Sequence, residues 1–242
     1  MSKIVKRTLD FIELFAEEKR PLSLSEISRL LEIPMSSCFD VIRSMQERGY
    51  VYELGQRAGY YPTQKLKQLA GVISENDPIM ERAGIKLREL RDEFDESVSL
   101  AHSIGRQVTY LLVFEPSHAL RFLVKVGDQA RSLHATSVGK ALLSTLSSDA
   151  LEEELSKGLK PMTEHTITDP EVLRKDIAKS LERGYFLNRE ESIQTGLTVT
   201  THFRWNRSDY FITMAGANYR MEGKIDKAIS RMKEICRQLE TP

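Results

Sequence analysis

Short apolar stripes at helical spacing run through the first fifty residues, and residues that cap helices separate them. Between residues 3 and 18 the apolar positions recur about every 3.6 residues, so we expect an amphipathic first helix. Ser23 and Glu26 stand at the spacing of a capping box, in which a hydroxyl and a carboxylate each bond a free backbone N–H. A second helix is therefore predicted to begin near Leu24.

A third helix is predicted from Pro34, which ends the second. Proline disfavours a helical conformation in the residue before it and suits the first turn of a helix, so the third helix should begin near Met35. From Tyr50 to Tyr61, aromatic and polar residues alternate around Gly55 and Gly59, which indicates a β-hairpin. Helices followed by a hairpin are typical of a winged helix-turn-helix, although the helices alone also fit a helical hairpin in a larger all-α domain.

Contacts to DNA are expected from the outward face of the third helix, since a recognition helix lies in the major groove. The candidate DNA contacts on the two helices and the wing are Ser25, Met35, Ser36, Ser37, Phe39, Asp40, Arg43 and Arg57. Serine and arginine suit phosphate and base contacts, whereas the carboxylate of Asp40 repels phosphates. Residues 1–65 carry ten basic and nine acidic side chains, a net charge of plus one, so tight binding should require a dimer.

Another apolar stripe lies on residues 66–73, and a small winged domain does not need it for its own core. We therefore expect a dimerising linker helix there. Asp77 before Pro78 is a strong helix start, and the amphipathic pattern that follows reaches about residue 95. The predicted organisation is a winged helix-turn-helix domain at residues 1–63, a linker helix at residues 64–76 and a second domain at residues 77–242.

The second domain is predicted to be α+β, because the hydrophobic period changes repeatedly between that of strands and that of helices. Strands are expected at residues 98–104, 108–114, 120–126, 185–190, 197–205 and 210–217. Helices are expected at residues 139–146, 149–155, 169–183 and about 221–239. The short turns between strands favour a mostly antiparallel sheet with helices packed against it.

The composition adds no strong electrostatic preference. The 242 residues include 35 basic and 35 acidic side chains, so no global field draws the protein to nucleic acid or to an anionic membrane. Cys38 and Cys236 are the two cysteines and lack metal-ligand spacing, which fits a reducing cytoplasm. There is no signal-peptide pattern and no apolar run of about eighteen residues, so we expect a soluble cytoplasmic protein without a membrane partner.

One segment of the second half resembles a known family. The run LHATSVGKALLSTL from Leu133 to Leu146, with ERGY at residues 182–185 and two glutamates before Gly196, resembles the effector domain of the IclR family of bacterial transcriptional regulators. The order of parts matches over essentially the whole chain. The resemblance implies a GAF- or PAS-like effector-binding domain, a small-molecule effector, double-stranded operator DNA as partner, and a homodimer that often assembles further as a tetramer.

The resemblance also implies the position of an effector site. The loop at LHAT-x-x-GK would form one wall, with Leu133, His134, Ala135, Thr136, Ser137 and Gly139. The opposite wall would comprise Asn188, Val199, Thr213 and Ala215. Acid-sensing members often have an acidic side chain, a cysteine and two serines there, so a different or less polar ligand is expected. Backbone N–H groups at the helix start are candidates to hold a carboxylate.

Enzyme motifs are weaker than this resemblance. A phosphate-binding loop at Gly139-Lys140 would need glycine at the position of His134 and serine or threonine at that of Ala141. Ser137 lies in a run similar to a nucleophile elbow, but no convincing acid and histidine follow it. The five histidines show no metal spacing. We therefore expect no catalytic residue, no metal and no cofactor, and we do not expect an enzyme.

The sequence thus predicts a DNA-binding transcriptional regulator, more specifically a repressor. Its effector is expected to be a small metabolite such as an organic acid, an aromatic compound or a sugar acid. Met35 and Asp40 stand where family members often carry basic residues, and they suggest an alternative. In that alternative the protein is a metabolite sensor whose winged helix serves protein interaction rather than specific DNA binding.

Overall fold

The computed structural model describes residues 3–55, 58–119, 121 and 124–240, and the chain divides into two compact units. The first unit comprises Met1–Asn76 and the second Asp77–Pro242. Each unit has its own hydrophobic core. In the described parts of the chain, no helix is both long enough and apolar enough to cross a membrane.

The first unit has the order of helices and hairpin that the sequence predicts. Its elements are α1 (Lys3–Glu18), α2 (Leu24–Leu31), α3 (Met35–Glu47), β1 (Val51–Glu53), β2 (Tyr60–Pro62) and α4 (Lys65–Glu75). The capping box is confirmed, because Ser23 Oγ accepts the N–H of Glu26 and the Glu26 carboxylate accepts the N–H of Ser23 at 2.9 Å. The bond from the Ser23 N–H, helped by Arg20, lowers the pKa of Glu26 to about 2.

The three helices of the winged unit enclose its core. The buried residues of this core are Phe11, Leu14, Phe15, Leu22, Ile27, Cys38, Val41, Ile42, Met45 and Val51. The hairpin joins the loop before α2 through two backbone hydrogen bonds: Leu22 N donates to Tyr60 O at 3.1 Å, and Tyr60 N donates to Leu22 O at 2.8 Å. This pairing brings the backbone of the hairpin into close contact with the loop at Gly59.

The second unit is α+β with an antiparallel sheet, as predicted. Its helices are α5 (Pro78–Phe94), α6 (Ser137–Leu143), α7 (Ser148–Ser156), α8 (Pro170–Arg183), α9 (Asn218–Met221) and α10 (Ile225–Glu240). Its strands are β3 (Ser97–Ile104), β4 (Gln107–Phe114), β5 (Phe186–Arg189), β6 (Gly196–Trp205) and β7 (Ser208–Ala217). The strand order is β4-β3-β7-β6-β5, and every neighbouring pair is antiparallel.

The two faces of this sheet carry different layers. Side chains of α5 and α10 pack on one face in the larger core, together with Leu197 and Val199 of β6. Side chains of α6 pack on the other face, together with Phe211 of β7 and Phe186 of β5. Because successive side chains of a strand point to opposite faces, each strand contributes to both layers. Which residues face α6 is therefore decided by strand register.

A β-bulge in β4 sets the register of that strand. The pairing of β3 with β4 shifts between Leu100 and Ala101, and Leu111 is the extra residue on the partner strand. Val113 comes three positions after Tyr110, so in a regular strand the two side chains would point to opposite faces. Because of the bulge, both belong to the α6 face. The bulge thus brings the Tyr110 side chain onto the face that carries the site described below.

The strand predicted at residues 120–126 is wrong in its described part. Residues 120, 122 and 123 lie outside the described residues, and residues 124–126 form no strand. Lys125 N donates to Asp128 Oδ2 at 2.8 Å, and Gly127 has a φ of 89°, so the chain turns here instead of remaining extended. Tyr110 N then donates to the Asp128 carbonyl at 3.0 Å, which holds the turn beside β4.

We predict that Gly59→Ala destabilises the first unit more than Gly55→Ala. Both glycines have left-handed backbones, with φ of 89° and 100°. A Cβ at Gly59 would lie 2.7 Å from the Leu22 carbonyl, whereas a Cβ at Gly55 would meet no atom within 4 Å. We expect losses of about 2–4 kcal/mol and about 1 kcal/mol respectively. Thermal unfolding followed by circular dichroism measures both, and equal losses would contradict a constraint from Leu22.

Candidate functional site

The second unit contains a cavity between the sheet and α6, with a volume of about 130 Å³. Strands β3 and β7 contribute to its floor, and the start of α6 and the segments near residues 128 and 192 form its walls. Partly enclosed cavities with a few polar groups are the usual form of small-molecule sites. The structure brings five of the expected effector-site residues together here: Thr136, Ser137, Asn188, Thr213 and Ala215.

A chain of hydrogen-bonded hydroxyls connects α6 to two strands. Ser137 Oγ lies 2.7 Å from Thr198 Oγ1 and 2.8 Å from Thr200 Oγ1. Thr200 Oγ1 in turn lies 2.8 Å from Thr213 Oγ1. Thr198 and Thr213 form the ends of this hydroxyl chain, and both line the cavity. The hydroxyl chain therefore fixes α6 to the sheet and retains hydrogen-bonding capacity at both ends.

Asn188 connects the cavity to the segment that follows β5. Its Nδ2 donates to the Ala135 carbonyl and to Ser192 Oγ, both at 2.7 Å. Its Oδ1 accepts the N–H of Glu191 at 2.8 Å. The side chain is 2 % exposed, so these bonds replace those that water would make. Asn188 is thus a lining residue that also holds the cavity wall in place.

Two predicted residues do not line the cavity. Val199 packs in the core beneath α5 and α10, because side chains alternate along β6 and its neighbours Thr198 and Thr200 face α6. Gly139 lies inside α6, where a Cβ would come within 2.5 Å of the Leu133 backbone. The residues of β6 that face α6 are thus the two neighbours of Val199, and Gly139 permits close packing.

Three further predicted residues, Leu133, His134 and Ala135, are also absent from the lining of the cavity. Ala135 is buried and contributes its carbonyl to the bond from the asparagine amide. Leu133 and His134 line a separate surface groove of about 370 Å³. His134 Nδ1 lies 3.1 Å from Ser132 Oγ, and His134 Nε2 lies 2.9 Å from the Lys160 carbonyl. Both ring nitrogens of His134 are therefore engaged within the protein.

Several lining residues escaped the sequence analysis. They include Ser97, Ser99, Tyr110, Asp128, Gln129, Arg131, Ser192, Ile193 and Thr198. Most of them belong to β3, β4 and the turn after β4, which lie outside the motif that carried the family resemblance. A usable signal was present in β3, where two serines alternate with apolar residues that face the larger core.

Tyr110 lines the cavity. Its side chain is 7 % exposed, and the described residues provide no hydrogen-bond partner for the hydroxyl. Burial raises the pKa of Tyr110 to about 12; Asp128 adds to this rise and Arg131 opposes it. The hydroxyl consequently remains protonated near neutral pH and is able to donate or accept a hydrogen bond.

The start of α6 is capped from within the protein. Thr136 Oγ1 accepts the N–H of Gly139 at 3.1 Å and donates to the Ser132 carbonyl at 2.5 Å. One of the backbone amides considered as a carboxylate ligand is therefore already used.

Lys140 is fully buried and connects α6 to three neighbouring groups. Its Nζ donates to Glu191 Oε1 at 2.6 Å, to Asp176 Oδ2 at 2.9 Å and to the Leu187 carbonyl at 3.2 Å. Burial raises the pKa of Glu191, and Lys140 opposes that rise. Glu191 Oε2 is buried without a hydrogen-bond partner among the described residues. The lysine of the motif thus holds the fold together, in contrast to the lysine of a phosphate-binding loop.

The predicted DNA contacts of α3 lie on the surface of the first unit. Met35 and Phe39 are 53 % and 48 % exposed. Ser36 and Asp40 are also exposed, and Ser37 is half-buried. The opposite side of α3 packs into the core of the winged unit. These five residues therefore form one accessible surface, which we call the α3 surface.

The remaining predicted DNA contacts are more dispersed. Ser25 is exposed in the first turn of α2, where its Oγ lies 3.0 Å from Ser23 Oγ. Arg43 is exposed on α3, and its Nε donates to Glu47 Oε1 at 3.0 Å. Arg57 lies outside the described residues. The described cation nearest to the α3 surface along the helix, Arg43, is thus paired with a carboxylate.

Metal-binding groups are absent from the described part of the chain, in which no three His, Cys, Asp or Glu side chains are arranged to hold a metal ion. Cys38 and Cys236 are both buried and free. Burial raises the pKa of the Cys236 thiol to about 12.

We predict that Lys140→Met destabilises the second unit by about 3–5 kcal/mol, because it leaves the buried carboxylate of Glu191 without its cation. Without the ammonium, the pKa of Glu191 rises further above that of the unfolded chain. The stability deficit should therefore be largest at neutral pH and shrink as the pH falls through the raised pKa. Urea unfolding followed by the fluorescence of Trp205, the single tryptophan, measures this.

Lys157→Met is the matched control for this prediction. Lys157 also pairs with a glutamate, Glu154, but its side chain is 57 % exposed. We expect a change of less than about 0.5 kcal/mol. Equal effects of the two substitutions, or an unchanged stability of Lys140→Met at neutral pH, would contradict a structural role of the buried ion pair.

Comparison with known proteins places both units in one family. The family described as Bacterial transcriptional regulator IclR C-terminal matches residues 71–241, and the IclR helix-turn-helix domain matches residues 4–55. The chain is 28 % identical to the probable transcriptional regulator SauR of Cupriavidus necator, over 84 % of this chain and 80 % of that protein. It is 25 % identical to the transcriptional repressor AllR of Escherichia coli K12, over 79 % and 71 % of the two chains.

Among solved structures, the fold is similar to that of an IclR homolog from Microbacterium hydrocarbonoxydans. That structure contains 4-hydroxybenzoate. The TM-score is 0.68 at 22 % identity, and the match covers 99 % of this chain and 98 % of the other. At this identity the comparison establishes the fold alone.

Proposed function

Because the chain belongs to the IclR family of bacterial transcriptional regulators and is a DNA-binding regulator, we propose that it represses transcription until a small metabolite binds its cavity. The observation that carries the proposal is the presence, in one chain, of a winged helix with an accessible α3 surface and of a polar cavity. The relative AllR is named as a repressor, which supports repression rather than activation. The site of action would be the bacterial cytoplasm, where the operator lies.

Operator contact is assigned to the α3 surface together with Ser25, Arg43 and Arg57. Serine hydroxyls suit phosphate and base-edge contacts, and exposed apolar side chains such as Met35 and Phe39 suit thymine methyl groups. Asp40 disfavours phosphate and is compatible with the amino group of cytosine. Because the winged unit is nearly neutral, we propose that two copies bind the operator together, so that their attractions to the DNA phosphates add.

A homodimer is proposed from an exposed apolar stripe on α1 and α4. The members of this stripe are Ile4, Val5, Leu9, Leu69, Val72 and Ile73, with exposures between 40 % and 72 %. Ile4, Val5 and Leu69 line one groove of the first unit, and monomeric proteins rarely leave large apolar surfaces exposed. A second copy of the same stripe would cover it, and a dimer of dimers would form the tetramer expected from the family.

The proposed effector comes from the broad set of organic acids, aromatic compounds and sugar acids expected from the sequence. Binding would alter the wall near Asn188 and, in the dimer, the spacing or mobility of the paired winged helices. A ligand shifts this equilibrium only by the difference between its affinities for the two states.

An alternative function is favoured by the chemistry of the α3 surface. Met35 and Phe39 expose apolar area, Asp40 is acidic, and Arg43 is paired with Glu47. Such a surface also suits contact with another protein. In this alternative the effector cavity would regulate a protein interaction, and specific DNA binding would be lost.

Binding to the promoter region next to its own gene tests the proposal. We expect the affinity, measured by fluorescence anisotropy, to fall steeply as salt rises, with a slope of about −0.9 for each phosphate neutralised. Ser36→Glu should weaken binding by about tenfold or more, because it places a second carboxylate on the α3 surface. Ser156→Glu, at the end of α7 in the second unit, is the control and should have no effect.

A reporter gene under the same promoter tests the direction of control. Deleting the regulator should raise expression if it is a repressor, and reduced expression would contradict that role. A folded protein without specific retention at low salt would favour the alternative of a protein-interaction module.

Ile73→Glu is predicted to dissociate the dimer. Ile73 belongs to the apolar stripe and is 72 % exposed, so a carboxylate there would be buried between two copies. Ile104→Glu is the control, because Ile104 is similarly exposed, at 68 %, but lies on β3 of the second unit. Sedimentation velocity at micromolar concentration should show monomer for the first variant alone. A dimer that survives Ile73→Glu would contradict the assigned interface.

A further inference from the structure

The chemistry of the cavity wall indicates what it recognises, on the proposed premise that the cavity holds the effector. Eight of the nineteen described lining residues carry a hydroxyl, namely Ser97, Ser99, Tyr110, Thr136, Ser137, Ser192, Thr198 and Thr213. A hydroxyl both donates and accepts hydrogen bonds, whereas a carboxylate only accepts and an ammonium only donates. A wall of this composition is complementary to a ligand whose own groups do both.

Four of these hydroxyls retain capacity toward the cavity. Thr198 and Thr213 form the ends of the hydroxyl chain and each makes one bond within it. Ser99 lies opposite Thr213 on the neighbouring strand and is 6 % exposed. Neither Ser99 nor Tyr110 has a hydrogen-bond partner among the described residues. Because both residues line the cavity, a ligand or water there is able to bond their hydroxyls.

The hydroxyl chain itself discriminates between ligands. Its four hydroxyls carry four hydrogens, and its three bonds use three of them. One hydrogen remains to be donated, and the ends also keep acceptor capacity, depending on the direction in which the hydroxyls rotate. A ligand with several hydroxyls satisfies both ends in either direction. A carboxylate, which only accepts, satisfies the donating end alone.

The charges near the cavity do not form an anion site. Asp128 and Arg131 are the charged side chains among the described lining residues, they have opposite signs, and both are exposed. Asp128 affects the pKa of Tyr110 more than Arg131 does, so the local field at that hydroxyl does not favour an anion. The Thr136 cap also uses an amide at the start of α6.

We propose that the cavity binds a small polyhydroxylated molecule through its hydroxyls, and that Tyr110 is the specificity-determining residue that bonds one of them. The cavity of about 130 Å³ is small. Five-carbon polyols are small molecules of this class. Sugar acids, which belong to the broader set proposed above, carry the same hydroxyls, and this inference goes beyond that set in that a carboxylate on the ligand is not required for recognition.

Binding to the full-length protein, measured by thermal shift and calorimetry, tests this class. The probes are ribitol, xylitol and D-arabinitol, the matching five-carbon aldonates, and pentanoate and glutarate as acids without hydroxyls. We expect at least one pentitol to bind, with its aldonate within about tenfold, and the hydroxyl-free acids to bind at least about a hundredfold more weakly. Binding of pentanoate or glutarate as tight as that of the polyols would overturn the proposal, as would a failure of every pentitol to bind.

Tyr110→Phe tests the assigned residue. It should weaken polyol binding by about tenfold without lowering the unfolding temperature of the ligand-free protein, since it removes one oxygen that has no described partner. Tyr210→Phe is the matched control, because Tyr210 is also buried but belongs to the larger core on the opposite face of the sheet. Thr213→Val should likewise weaken binding. Unchanged polyol affinity of Tyr110→Phe would contradict the assignment.

Promoter binding by the same preparations separates this inference from the proposed function. A protein that retains specific DNA binding but binds no pentitol rejects the ligand class and leaves the regulator intact. A protein that binds a pentitol but no DNA rejects the regulator and supports the ligand class.

Discussion

The buried ammonium of Lys140 is the interaction on which the geometry of the second unit depends. Its helix, α6, has seven residues, and an isolated helix of that length does not persist in water. Lys140 ties it to α8 through Asp176, and to β5 and the segment after it through Leu187 and Glu191. Burying these charges is favourable only because the three acceptors surround the ammonium. The position of α6 is thereby fixed relative to the sheet.

The cavity follows from that position. Ser137 lies one turn before Lys140 on α6, so the ion pair that holds the helix also places the hydroxyl that reaches β6 and β7. Asn188 accepts the N–H of Glu191, and its amide closes the wall beside the cavity. A ligand that contacts Asn188 therefore touches a side chain that is hydrogen-bonded to Glu191, a member of the buried ion pair. Tight packing of this kind converts a small shift at the wall into a displacement of whole elements.

Local signals predicted most elements, and long-range register limited the prediction of the site. The capping box at Ser23 and the break at Pro34 depend on neighbours within one helical turn, so the sequence alone reveals them. Whether Thr198 or Val199 faces the cavity depends on how β6 pairs with its neighbours, and a displacement of one residue inverts the face. Tyr110 was missed because it lies outside the motif that carried the family resemblance, and the extra residue Leu111 also resets the alternation of β4.

The winged unit shows the same separation between scaffold and specificity. Cys38, Ile42 and Met45 of α3 are buried, and packing restricts what those positions tolerate. Met35 and Asp40 are exposed, so the fold places almost no constraint on them and they are free to vary with the binding partner. An unusual recognition surface is therefore compatible with an ordinary scaffold. Because the unit carries a net charge of only plus one, phosphate attraction strong enough for tight binding then depends on the pairing of two copies.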